Sequence, residues 1–205
     1  MAVITFPATL GVARFNWGLQ RRDLAFASAF GSQAVEISAP VWAASVQFDP
    51  AKRTALEVGA WQALLLKLRG KVNQLALWHI ARPIPIGSMR GAMTLNAAAV
   101  QGATSLNIVA AGEALKTLLA GDYIGLGSGI TQQVVMVTDD ATADAAGLIA
   151  VNVQPPLRNG FALGAAVVWD KPKALFRATG SDFSADYSGS LVTARALDLI
   201  EDWRA

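Results

Sequence analysis

The chain has 205 residues, 53% hydrophobic and only 16% charged, with a net charge of +2 and no cysteine. That length allows one large domain or two small ones with real cores. The missing cysteines exclude disulfides, thiol nucleophiles and cysteine-based metal sites together. The basic residues form no stripe interleaved with aromatics, so the electrostatic footprint of nucleic-acid binding is absent. Charge is well below the usual quarter for a globular domain, which points to a surface covered by a partner, although abundant Ala and Gly inflate the apolar count. The longest uncharged stretch, residues 91–112, contains Thr94, Asn96, Gln101, Thr104, Ser105 and Asn107. It falls short of the roughly 20 mainly apolar residues of a membrane span. Residues 1–11 lack the basic region of a secretory signal, so a cytoplasmic start is expected.

Residues 1–20 mix Pro7, Gly11 and Gly18 with scattered apolar residues and fit short strands or an extended arm. Residues 21–32 set Leu24, Phe26 and Phe30 in an Ala/Ser background, with helix and strand signals in balance. From 34 to 48 the pattern is clearer: Val35, Ile37 and Ala39 alternate, and after Pro40 the apolar set moves to Trp42, Ala44, Val46 and Phe48. A one-residue change of phase reverses the buried face, and proline belongs at bulges or edges. The spacing therefore predicts a bent strand, or two strands meeting at Pro40.

Asp49-Pro50 signals a helix start. Val58, Trp61, Leu64, Leu65 and Leu68 then recur at three- and four-residue steps and share one face. Lys52, Arg53, Gln62, Lys67 and Arg69 fall mainly elsewhere, and Gly70 is the stop. An apolar strand at 75–80 follows at once. No other long helix is evident, so a sheet built from the rest of the chain must cover this stripe.

The run Arg82-Pro83-Ile84-Pro85-Ile86-Gly87 marks a stiff boundary. Beyond it, short strands at 105–109, 123–126, 133–138 and 148–153 are separated by turn signals and closed by Pro155-Pro156, suggesting a small barrel or sandwich. Strands at 161–169 and 174–178 precede a loop at 180–189. Residues 190–203 are ambiguous: Val192, Ala196, Leu199, Ile200 and Trp203 match helical spacing, while Leu191, Leu197 and Leu199 suit a strand. The two ends are each too incomplete to cover the helix stripe. The expectation is a discontinuous domain, residues 1–90 plus 159–205, interrupted by an inserted β-barrel domain at 91–158.

Candidate chemistry is thin. His79, the one histidine, sits in an apolar strand without companions for a metal site or a nucleophilic relay and reads as structural. Gly125 to Gly129 lacks the strand-to-helix setting and the Gly-Lys-Ser/Thr of a phosphate loop, and reads as a hairpin connection. Asp139, Asp140 and Asp144 do not have calcium-loop spacing and read as a solvated turn. Asp182 and Asp186 with Glu201 could imitate a glycosidase pair, but nothing places them across one cleft. Of six tryptophans, Trp42, Trp61 and Trp78 fall on apolar faces and read as core, whereas Trp17, Trp169 and Trp203 suit an interface as well as a core. No catalytic residue, metal ligand or cofactor is expected.

The stretch Trp61-Gln-Ala-Leu-Leu-Leu-Lys-Leu-Arg-Gly70, followed by Leu75 to His79 and preceded by Trp42, resembles a pattern in tail proteins of tailed bacteriophages. The inserted part, with Gly102-Ala103-Thr104-Ser105-Leu106, Leu119-Ala120-Gly121-Asp122-Tyr123-Ile124, Ala143-Asp144-Ala145-Ala146-Gly147 and Pro155-Pro156-Leu157-Arg158, is similar to a small β-barrel module of such proteins. The resemblance covers residues 41–158 and, more weakly, reaches 201. It rests on order and spacing, not on any single motif.

The family implied is the distal tail, or baseplate hub, group, related in fold to tail-tube proteins. The resemblance implies a mainly β (β-rich α+β) chain: a tail-tube-like β-sandwich with one flanking helix, an inserted small β-barrel and a C-terminal strand at 191–201. It implies a non-enzymatic virion protein of the tail tip or baseplate, assembled in the host cytoplasm. Copies would form a homo-oligomeric ring, typically hexameric, that contacts other tail proteins of the tube, hub or tip. Genomic DNA would pass through the lumen without specific binding. Closing a ring would pair exposed sheet edges. Leu66, off the main helix stripe, is the candidate for the intersubunit surface; Arg21, Arg22 and Phe26 are candidates for contact between stacked rings. The alternatives are a tail-tube or tail-terminator ring, a carbohydrate-binding β module, and, remotely, a hydrolase with a carboxylate pair.

Overall fold

Alternating side chains and a single three-four periodic stretch become many strands and one helix in the structure, a computed structural model that describes residues 1–48, 54–181, 187–188, 191–192 and 195–202. In chain order the elements are β1 (Val3–Thr5), β2 (Arg14–Ser28), β3 (Gly31–Phe48), helix α1 (Ala55–Leu68), β4 (Gln74–Trp78), β5 (Met93–Leu95), β6 (Ser105–Ala110), β7 (Thr117–Leu118), β8 (Tyr123–Leu126), β9 (Gln133–Val137), β10 (Ala141–Thr142), β11 (Leu148–Gln154), β12 (Ala166–Val168), β13 (Lys173–Ala178), β14 (Tyr187–Ser188), β15 (Leu191–Val192) and β16 (Arg195–Glu201). They make a mixed α+β fold. A six-stranded sheet, ordered β1-β4-β13-β16-β3-β2, stands beside a closed barrel ordered β11-β6-β5-β12-β8-β9.

The expected helix start at Asp49-Pro50, with Lys52 and Arg53, lies outside the described residues. The described helix opens with a reciprocal cap: the Thr54 hydroxyl accepts from the Glu57 amide, and the Glu57 carboxylate accepts from the Thr54 amide. That arrangement satisfies two of the first turn's free donors. At the far end Arg69 (φ 51°) and then Gly70 (φ 65°) take left-handed conformations, so the turn begins one residue before the glycine. The Asn73 side chain donates to the Lys67 carbonyl and accepts from the Ala2 amide. The helix end is thereby tied to the start of β1, which pairs in parallel with β4. Trp61, Leu64 and Leu68 are buried against the sheet. Trp61 stacks on Phe48, with ring centroids 5.3 Å apart.

Behind α1 the sheet is apolar. Every residue of β4 is buried, and Trp42, Ala44, Val46 and Phe48 of β3 point into the same core. Residues 195–201 form a strand, although their spacing also matched a helix. β16 lies between β13 and β3 and is hydrogen-bonded on both sides, so pairing from distant parts of the chain outweighs local helix preference. Leu197, Leu199 and Glu201 are buried, whereas Ala196 and Asp198 are exposed. β14 and β15 pair with each other, within the stretch expected to be loop and its continuation. Trp203 lies outside the described residues.

The barrel has its own core. Leu106, Ile108 and Ala110 of β6 alternate inward, as do Ile149, Val151 and Val153 of β11. Its closing strand is β12, which pairs with β5 and β8, so the barrel runs past the expected boundary at Arg158 to Val168. The reason is topological: without β12, β5 and β8 would each be left with an open edge. Entry and exit segments meet where the Lys171 amide donates to the Pro83 carbonyl at 2.7 Å. Asp122 fastens the Pro83 to Gly87 linker by accepting from the Ile86 and Gly87 amides. The sheet's core is completed by Tyr123 and Val134 from the barrel wall.

Candidate assembly surfaces

β2 and β3 form one long hairpin whose lower half belongs to the sheet and whose upper half leaves it. Residues 14–20 pair with 41–47 in unbroken register, with Phe15, Trp17 and Leu19 packed on the core. Two register shifts follow, between Gln20 and Arg22 and between Arg22 and Asp23. They fall beside Pro40, where the sequence predicts a bend, and they rotate the ribbon out of the sheet. Every residue from 21 to 39 is exposed.

Register assigns the faces of this arm. Leu24 lies opposite Val35 and Phe26 opposite Gln33, and directly opposed residues share a face. Ile37 sits at the bulge beyond Val35, also exposed. The other face pairs Asp23 with Glu36, Ala25 with Ala34 and Ala27 with Ser32. Arg21 reaches Glu36 across it at 3.7 Å. Phe30, in the tip, is fully exposed. The arm thus has one mainly apolar face, on which Arg22 and Gln33 also lie, and one small or charged face, and β2 is the outer edge of the sheet. A two-stranded ribbon with an uncovered apolar face is marginal alone in water.

A second uncovered surface lies on α1. Leu56 is 84% exposed and Leu66 77%. Gly59, Ala60 and Ala63 between them are also exposed. These positions recur at three and four residues, so they line the side opposite Trp61, Leu64 and Leu68. Lys67 is the one charge among them. A helix apolar on both sides belongs between two layers, and the described residues supply one.

The arm's root is clamped to the barrel. The Arg158 guanidinium donates to the Glu201 carboxylate at 2.8 Å and to the Pro40 carbonyl at 2.7 Å, and the Arg158 amide donates to Gln133. Glu201 also accepts from the Trp42 amide, and the Trp42 indole donates to the Val134 carbonyl. Both charged side chains are almost fully buried. Burial pushes the Glu201 carboxyl up to about 7, against the opposing pull of Arg158 and the Trp42 amide. Beside this clamp Trp17, Trp42, Tyr123 and His79 form an aromatic nest in which His79 stacks on Tyr123 at 4.9 Å. Burial, then the neighbouring Arg82 charge, lowers the His79 pKa and so favours the neutral ring, which packs against Phe15, Trp17 and Tyr123.

Of the sequence candidates, Arg21, Arg22 and Phe26 fall together on the arm, with Phe26 57% exposed, and Leu66 falls on the outer face of α1. Leu24, Phe30, Val35, Ile37 and Leu56 share those surfaces and were not singled out. The other motifs are absorbed locally. Gly127 to Gln132 connects β8 to β9. Asp139 accepts from Asn152 and Thr138, Asp140 from the Ala120 amide, and Asp144 from the Ala146 and Leu148 amides. Asp182 and Asp186 lie outside the described residues, and Glu201 is occupied by Arg158. Trp17, Trp42, Trp61, Trp78 and Trp169 are buried or half-buried, so they form no open aromatic platform for a sugar. Among the described residues no three His, Asp or Glu side chains gather as metal ligands, and no helix is long and apolar enough to cross a membrane. No protein-family model matches the chain, and no curated protein matches it.

Proposed function

We propose that the chain is a structural subunit of a phage-type tail, forming a ring, typically hexameric, that joins the tail tube to the baseplate or tip. The observation that supports this most is the exposed arm of residues 21–39 with its apolar face. A folded protein keeps such a ribbon when a neighbour covers it. The resemblance in sequence adds direction, since it implies one flanking helix, a C-terminal strand and an inserted barrel, and the chain has elements of each kind. The barrel is what favours a joining ring over a plain tube ring.

In this reading the sheet face turned away from α1 lines the channel. At β2, β3 and β16 that face holds a shallow trough of about 420 Å³ whose lining includes Asn16, Gln20, Ser45 and Asp198 and no Lys or Arg. By register Arg14 and Arg177 share that face outside the trough, and Arg177 is paired with Asp202, so the wall would offer a passing phosphate backbone few free cations. Electron microscopy and native mass measurement of the purified chain test the proposal. The expected result is a closed annulus with a pore. A monomer at high concentration that also fails to associate with tail-tube or tail-tip proteins overturns it.

A further inference from the structure

We infer that the arm of one copy lies along the outer face of α1 of the next, a heterologous contact that covers both apolar surfaces at once. This deepens the assembly reading and rests on it, because it names which surface of the partner copy receives the arm.

The two surfaces cannot serve each other within one chain. Residues 21–39 are all exposed, and so are Leu56, Ala60, Ala63 and Leu66. Among the described residues nothing covers either surface. Their lengths agree: the arm strand from 21 to 28 spans about 26 Å at strand rise, and the 14 residues of α1 span about 21 Å at helix rise. Their relief agrees as well. Gly59, Ala60 and Ala63 leave a trough between Leu56 and Leu66, and a flat ribbon face bearing Phe26 and Leu24 can approach a backbone closely there. Phe30 at the tip is an aromatic anchor of the kind that dominates interface energetics.

Coverage of both surfaces decides between contact schemes. The arm exposes five large apolar side chains and the helix two. With the small residues between them they offer on the order of 1,000 Å² in total, about the threshold for a specific interface. Arm against arm brings more large apolar side chains into one contact, but, like helix against helix, it leaves the other surface of each copy wet. Arm on helix uses all of it. In this scheme every copy donates one arm and receives one, so the contact repeats from copy to copy and closes into a ring if the rotation allows.

The absence of cysteine permits a clean test in the full chain. Phe26→Cys and Ala63→Cys are made separately and together, with circular dichroism to verify the fold. Under mild oxidation a mixture of the two single variants should give a disulfide-linked dimer, and the double variant a ladder of multimers. Each single variant alone should stay uncrosslinked. Leu66→Glu or Phe26→Ser should bring the native mass down to a single chain. Self-linkage of Phe26→Cys alone, at the efficiency of the mixture, would mean arm-to-arm contact and overturns the inference. A ring-sized assembly that gives no cross-link and keeps its mass in Leu66→Glu also overturns it, and leaves the assembly reading standing. A chain that is monomeric throughout and never cross-links removes both.

Discussion

The barrel and the arm are built from the same material and end in opposite states. β6 and β11 largely alternate large apolar residues with small or polar ones, and so do the upper halves of β2 and β3. In the barrel each main strand is hydrogen-bonded on both sides, and Leu106, Ile108 and Val151 are sealed inside. In the arm each strand has one neighbour, and Leu24, Phe26 and Val35 face solvent. Even the turns differ. Gly147, at the β10–β11 turn, is needed because a Cβ there would run into the Ala110 carbonyl oxygen, whereas Gly31 at the arm tip has open space around it. Alternation decides which residues share a face; topology decides whether that face is covered. Where closure is complete within the chain, the apolar face stabilises the fold. Where it is not, the same pattern is available for assembly.

Mutations at the joint, the barrel and the arm should separate these roles. The largest effect is expected at the joint. Arg158→Ala leaves Glu201 buried without its partner and should destabilise the protein by about 3–5 kcal/mol at pH 8, read as a lower urea midpoint. The loss should be smaller at pH 5, where the carboxyl takes up a proton. A double change to Arg158→Met with Glu201→Leu should recover most of it. Next comes the barrel interior: Ile108→Ala, at a position with no exposure, should cost about 2–5 kcal/mol by lost burial and a cavity. The pH response of the joint follows. Folded Glu201 binds its proton more tightly than the unfolded chain does, so its contribution is fully present below the unfolded value of 4.5 and is lost as pH rises through about 7. The total is about 3 kcal/mol. His79 acts in the other direction, because its pKa is lowered by folding. The readout is therefore the difference between the native chain and Glu201→Gln, which should show no such decline from pH 4.5 to 7.

The sequence showed most of the covered regions and little of the uncovered ones. Ile149, Val151 and Val153 announce one strand face, and Pro40 marks the bend, because both depend on local alternation. The start of α1 was also legible in Thr54 and Glu57, three residues apart; Asp49-Pro50 drew attention instead. Residues 21–32 gave no decision, since Leu24 and Phe26 alternate mostly with alanine, which suits either a helix or a strand. Residues 195–201 satisfy two periodicities, and only pairing with β3 and β13 resolves them. The end of the barrel was misplaced because β12 has three residues and its role is visible only once β5 and β8 are in position. The clamp was not legible at all: Arg158 and Glu201 are 43 residues apart, and neither carries a local signal of burial. On the arm and α1, Arg21, Arg22, Phe26 and Leu66 stand out in the sequence as apolar or basic residues without a local home. Their neighbours were missed because nothing in sequence tells an uncovered apolar face from a covered one.

The smallest expected effect bears most directly on the contrast between barrel and arm. Phe26→Ser removes a large aromatic side chain, as severe a change in kind as Ile108→Ala. If apolar side chains on this chain all served the fold, it would cost several kcal/mol. Phe26 packs on neither core, so its removal should shift the unfolding free energy by less than about 0.5 kcal/mol. The slope of unfolding against urea should also stay the same, since the area exposed on unfolding barely changes. Unfolding must be followed at a concentration where the chain is monomeric, because assembly stabilises whatever it binds. A loss of 2 kcal/mol or more in that monomer would place Phe26 inside a fold the arm helps to hold, and the separation between a self-sufficient body and a projecting ribbon would have to be given up.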